Sequence, residues 1–81
     1  MLKIEDFTKH KFKYLYHNKD LNYDVFDKKT YDVKIILLWG ESEGHFFNIP
    51  TTWIVRRNLT VFKGKIETLE QLELVLKMME L

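Results

Sequence analysis

The chain contains no cysteine and no alanine, only one proline and one serine, and three glycines among its 81 residues. Without thiols there is neither a disulfide framework nor a thiolate metal site, and the expected setting is a reducing, cytoplasmic one. The single serine, Ser42, stands outside any nucleophile-elbow motif, which argues against nucleophilic catalysis. Three isolated glycines build neither of the glycine-rich phosphate cradles, so no nucleotide or other cofactor is expected. No stretch approaches the roughly 18 apolar residues of a membrane span, and the opening Met1–Asp6 segment lacks the apolar core, about seven residues or more, of an export signal. Neither sign of charge prevails: 13 basic residues face 12 acidic ones, which speaks against the strong positive field of a non-specific nucleic-acid binder.

What the chain does contain is apolar and aromatic bulk. Hydrophobic residues make up 46% and aromatic residues 15% of the sequence, enough to offset the entropy of ordering most of it. At this length one core is affordable and two are not, so residues 1–81 are expected to form a single domain. The missing alanine, with abundant Lys, Asn, Ile, Phe and Tyr, matches the style of small accessory proteins from AT-rich genomes, bacteriophages among them. Charge is unevenly distributed, and from Glu67 to the end four glutamates face one lysine.

Strict alternation in Lys11–His17 predicts a half-buried strand with Phe12, Tyr14 and Tyr16 on one face. Tyr23–Phe26 is short and β-prone between two turn-forming segments. The strongest strand runs from Tyr31 to Trp39 and becomes continuously apolar, as a central strand does when both of its faces are covered. Gly40–Gly44 then predicts a hairpin with His45–Ile49, in which Trp39 would pair with His45, Leu37 with Phe47 and Ile35 with Ile49. Pro50 ends that strand or marks an edge. Trp53–Arg57 favours a strand over a short helix capped by Thr51 or Thr52, Leu59–Phe62 a further strand, and Lys63-Gly64-Lys65 a bend. From Thr68 onwards the pattern is helical: Thr68 and Gln71 match a capping box, and no Gly or Pro interrupts Leu69–Glu80. The expected fold is α+β, an antiparallel sheet of four to five strands with one C-terminal helix packed on one face.

Along that helix Leu69, Leu72, Val75, Leu76 and Met79 form the stripe that a sheet would cover. Leu74, Met78 and Leu81 fall on a second line, which suggests an interface between copies, a homodimer, or contact with a host protein. His10 and His17 belong to no metal-binding pattern. Glu41, Glu43 and His45 alternate in a manner that suits a cation, but a glycine-rimmed acidic turn is more simply a solvated loop, and no metal site is expected. On Lys11–His17 the lysines and rings fall on opposite faces, unlike single-strand nucleic-acid binders, which present both to one groove. The candidate partner-binding residues are Trp53, Arg56, Arg57, Lys63 and Lys65, where a hairpin gathers cations able to grip acidic groups. Together these features suggest a non-catalytic protein-interaction module, a small regulator or inhibitor. The alternative is a nucleic-acid-binding protein using Arg56, Arg57, Lys63 and Lys65.

Overall fold

In the computed structural model, residues 2–39 and 49–81 are described. A short helix α1 (Ile4–Thr8) leads into β1 (Lys13–Asn18) and β2 (Tyr23–Lys28), followed by a 3-10 turn (Lys29–Tyr31). Then come β3 (Val33–Leu38), β4 (Thr51–Arg56), β5 (Leu59–Lys65) and the C-terminal helix α2 (Leu69–Met78). The five strands form one antiparallel sheet in the order β1-β2-β3-β4-β5. The α+β architecture and the central place of β3 agree with the sequence.

Because strand side chains alternate, the pairing register sorts the sheet into two faces. On one, Tyr14, Phe26, Ile35, Ile54 and Phe62 form a row across all five strands. Both helices cover this face: Phe7 of α1 and Leu72 and Leu76 of α2 join Phe26, Ile35, Leu37 and Ile54 in the core. Phe7 stacks on Phe26 with ring centroids 4.6 Å apart, and Tyr14 meets Phe26 edge-on at 5.2 Å. Full burial of a side chain like Phe26 contributes roughly 1.5–3 kcal/mol. Gly64 shares this face, and a Cβ there would sit 3.1 Å from the end of the Phe62 ring, so the ring occupies the space a side chain would need.

The α2 stripe packs as its spacing predicts, and Thr68 Oγ accepts from the Gln71 amide at 3.2 Å. The Gln71 side chain reaches back to the Glu67 amide at 2.8 Å, one residue earlier than a standard capping box places it. At the other end Glu80 adopts φ 58°, and the amides of Glu80 and Leu81 donate to the carbonyls of Lys77 and Leu76. This is a Schellman closure, which brings the residue after the turn back onto the helix. Leu81 accordingly packs against the core.

Several expectations need correction. Ile35 pairs with Ile54 and Leu37 with Thr52, not with Ile49 and Phe47. Pro50 has no amide to give a ladder, whereas Thr51–Arg56 beyond it offers six rungs. The remaining parts of that hairpin, and the Glu41, Glu43 and His45 group, lie outside the described residues. Lys63-Gly64-Lys65 is strand rather than bend and extends β5 alongside β4 as far as Thr51. Tyr16 does not share a face with Tyr14, because Leu15 is an extra residue in the β1–β2 ladder. A bulge of this kind reverses the alternation beyond it.

Candidate functional site: the open face of the sheet

Both described helices lie on the same side of the sheet, and the register defines what the other side presents. Its first row is Lys13, Asp27, Lys34, Val55 and Thr60; its second is Tyr16, Val25, Ile36, Trp53 and Lys63; its third is Asn18, Tyr23, Leu38, Thr51 and Lys65. The middle of this face is apolar and concave. An open hollow of about 650 Å³ is lined by Leu15, Tyr16, Leu21, Tyr23, Val25, Ile36, Leu38 and Trp53, with Lys34 as the one charged wall among the described residues. Leu15, Tyr16, Leu21 and Val61 are exposed large hydrophobics. Tyr16 and Tyr23 meet edge-on at 6.3 Å, and the Lys63 ammonium sits over the Trp53 ring, 4.5 Å from its centroid.

Charge on this face is one-sided. Among the described residues of the ladders, Lys13, Lys34, Lys63 and Lys65 stand against the single carboxylate of Asp27, although the chain as a whole carries only +1. Lys13 and Lys34 flank Asp27 in the first row, while Lys63 and Lys65 run down the β5 edge, so the cations form two sides of a rim around the apolar floor.

Both edges of the sheet are interrupted. Leu15 is the extra residue on β1, and Val61 is the extra residue on β5, where Ile54 pairs with Phe62 but Val55 with Thr60. Bulged edges are poor templates for an added strand. Backbone pairing at either edge is therefore disfavoured, and the face is the larger continuous surface on this side.

The structure divides the residues that sequence reasoning singled out. Trp53, Lys63 and Lys65 share the open face, with Trp53 directly opposite Lys63. Arg56 falls on the opposite face, on a rung with Val33 and Leu59, and Arg57 occupies the tight turn to β5 with Asn58, both at positive φ. The basic group is thus split between the two faces and the turn. On α2, Leu74 and Met78 are 58% and 76% exposed, while Leu81 turns inward. Sequence reasoning missed the contribution of Tyr16, Tyr23, Ile36 and Leu38, because which face each occupies depends on a bulge and on pairings between distant segments.

A second polar cluster lies at one end of the helix face. Asp24, only 9% exposed, accepts from the Tyr14 hydroxyl at 2.7 Å and from the Trp39 indole at 2.9 Å, and its Oδ1 lies 2.8 Å from His17 Nδ1. Burial first, then the hydrogen bond and charge of Asp24, push the Tyr14 phenol up to about 12. The carboxylate is consumed by these partners, and the cluster reads as a satisfied polar anchor of the core. It ties β1, β2 and the residue after β3 together. Among the described residues no group of three or more His, Asp or Glu side chains is placed to hold a metal ion. No described helix is long and apolar enough to cross a membrane.

Comparison of the chain with protein-family models, with curated proteins and with solved structures finds no match to any of them.

Proposed function

We propose that the chain is a non-catalytic protein-interaction module, a small regulator or inhibitor that acts by occlusion, with the open face of the sheet as its docking surface. The observation that carries this reading is the hollow of about 650 Å³ with its apolar floor and lysine rim. A contiguous apolar patch rimmed by polar residues is how interaction surfaces present themselves, and a pocket that seats a bulky anchor is the usual centre of such an interface. Its cellular setting, with phage or mobile-element origin among the possibilities its composition raises, belongs to the same proposal.

One observation favours a second reading, nucleic-acid binding. The bulge at Leu15 places Tyr16 on the face of Lys13, and the register adds Tyr23, Trp53, Lys34, Lys63 and Lys65, so rings and cations share one surface as they do in single-strand binders. The floor weighs against it. Leu15, Leu21, Val25, Ile36 and Leu38 offer bases neither stacking nor hydrogen bonds, and one face of the Trp53 ring carries the Lys63 ammonium.

The test is a parallel affinity capture with wild type, Ile36→Asp and Leu74→Glu, each checked for folding by circular dichroism. Proteins retained by wild type and Leu74→Glu but lost with Ile36→Asp support the open face. Equal retention by all three, or loss only with Leu74→Glu, overturns it.

A further inference from the structure

Resting on the reading of the open face as a protein-docking surface, we infer that its occupant is an acidic segment carrying bulky apolar anchors. Three observations combine. The floor is apolar and hollow, so it takes side chains such as Leu, Phe or Trp from a partner. Among the described residues of the ladders the rim holds four lysines and one carboxylate, so a partner with carboxylates flanking its anchors gains at the periphery what a neutral or basic one loses. Both edge strands are bulged, so affinity comes from side chains on the face rather than from backbone pairing at an edge.

The same charge argument disfavours the self-association that an unpaired sheet face otherwise invites. Two copies meeting through this face would bring two lysine-rich rims together, and like charges across an interface are repulsive. The acidic residues of α2 lie on the far side of the molecule, beyond the core. Electrostatics of this kind governs encounter more than final affinity, so binding is fastest at low salt and retains an apolar component at high salt.

The experiment is selection from a random 16-residue peptide display library against the immobilised full chain, followed by measurement of the association rate and affinity of enriched peptides with three variants. These are Ile36→Asp, the double reversal Lys34→Glu/Lys63→Glu, and Leu74→Glu, each confirmed folded by circular dichroism and thermal melting. Lys34 is exposed, as is Lys63, which keeps the double variant informative should Ile36→Asp fail to fold. The expected result is enrichment of peptides with net negative charge and two or more large apolar residues. Their association rate at low salt falls about tenfold or more with the double reversal and binding is lost with Ile36→Asp, while Leu74→Glu leaves both unchanged.

Enriched peptides that are neutral or basic yet still fail on Ile36→Asp overturn the acidic occupant and leave the docking face standing. Peptides indifferent to Ile36→Asp overturn both. Sedimentation of wild type as a dimer that Ile36→Asp dissociates identifies a second copy as the occupant and overturns the inference. So does micromolar binding of a fluorescent oligothymidylate that disappears with Ile36→Asp.

Discussion

The Tyr14 hydroxyl donates to Asp24 Oδ1 at 2.7 Å, the same oxygen that faces His17 Nδ1, while Asp24 Oδ2 accepts from the Trp39 indole. One carboxylate on β2 thus holds groups from β1 and from the segment after β3. Asp24→Ala leaves the Tyr14 and Trp39 donors without their acceptor, and a loss of about 2–4 kcal/mol is expected. Urea unfolding followed by Trp fluorescence measures it, and a loss below about 1 kcal/mol would show that the cluster is peripheral.

The Tyr14 phenol gives this cluster a pH signature. Its folded value of about 12 lies above the ordinary 10.0, so the protonated phenol is favoured by folding. That stability is fully present below pH 10 and declines as pH rises from about 10 towards 12. The stability difference between wild type and Tyr14→Phe should therefore shrink over this window. A difference independent of pH would contradict the assignment.

Thr52 is fully buried opposite Leu37 and Gly64, and its hydroxyl is the buried side-chain polar atom without a partner among the described residues. Thr52→Val removes that hydroxyl while keeping the β-branched shape a strand prefers. A gain of about 1 kcal/mol is expected, read as a higher urea midpoint.

Glu80 closes α2 at φ 58°, a conformation that favours glycine. Glu80→Gly is expected to raise stability by about 0.5–1 kcal/mol. Leu81→Ala works in the opposite direction, because it removes the apolar contact that accompanies the closure. Thermal melts of the two variants should shift to either side of wild type.

Deletion of Leu15 should leave the fold intact. Leu15 is the extra residue of the β1 bulge, and without it Tyr14 and Tyr16 still fall on opposite faces as consecutive strand residues. The cost is expected to be about 1 kcal/mol or less. The straightened β1 edge becomes a better template for pairing, so thioflavin-positive aggregates should form sooner at high concentration. Complete unfolding of the deletion variant would show that the bulge is required for the register of β1.

The elements most legible in the sequence were those whose signal is local. The Thr68–Gln71 pair marked the start of α2, and the apolar run of Ile35–Trp39 marked the central strand. Helix α1 was not anticipated, since five residues give no periodicity and its cap depends on Asp6 accepting from the Lys3 amide. The partner of β3 was misassigned because two β-prone stretches, His45–Ile49 and Thr51–Arg56, compete for it, and the missing amide of Pro50 falls between them. Neither bulge uses a glycine, so Leu15 and Val61 looked like ordinary strand residues. The open face and the Asp24 cluster both depend on pairings between segments distant in sequence. Trp53, Lys63 and Lys65 share one face by register, while Arg56 on the other face and Arg57 in the turn are near them only along the chain.

The strand order β1-β2-β3-β4-β5 means that every ladder joins neighbours along the chain, so the sheet can grow strand by strand, with the connection from Leu38 to Thr51 the longest that has to close. The helices arrive from opposite ends to seal a single core, and His10 of the N-terminal segment meets Glu73 of α2 at 3.1 Å. Without Leu72 and Leu76 the helix-facing side of the sheet would be covered by α1 alone, and a chain truncated before Leu72 would expose the Ile35 and Ile54 region as an aggregation-prone surface.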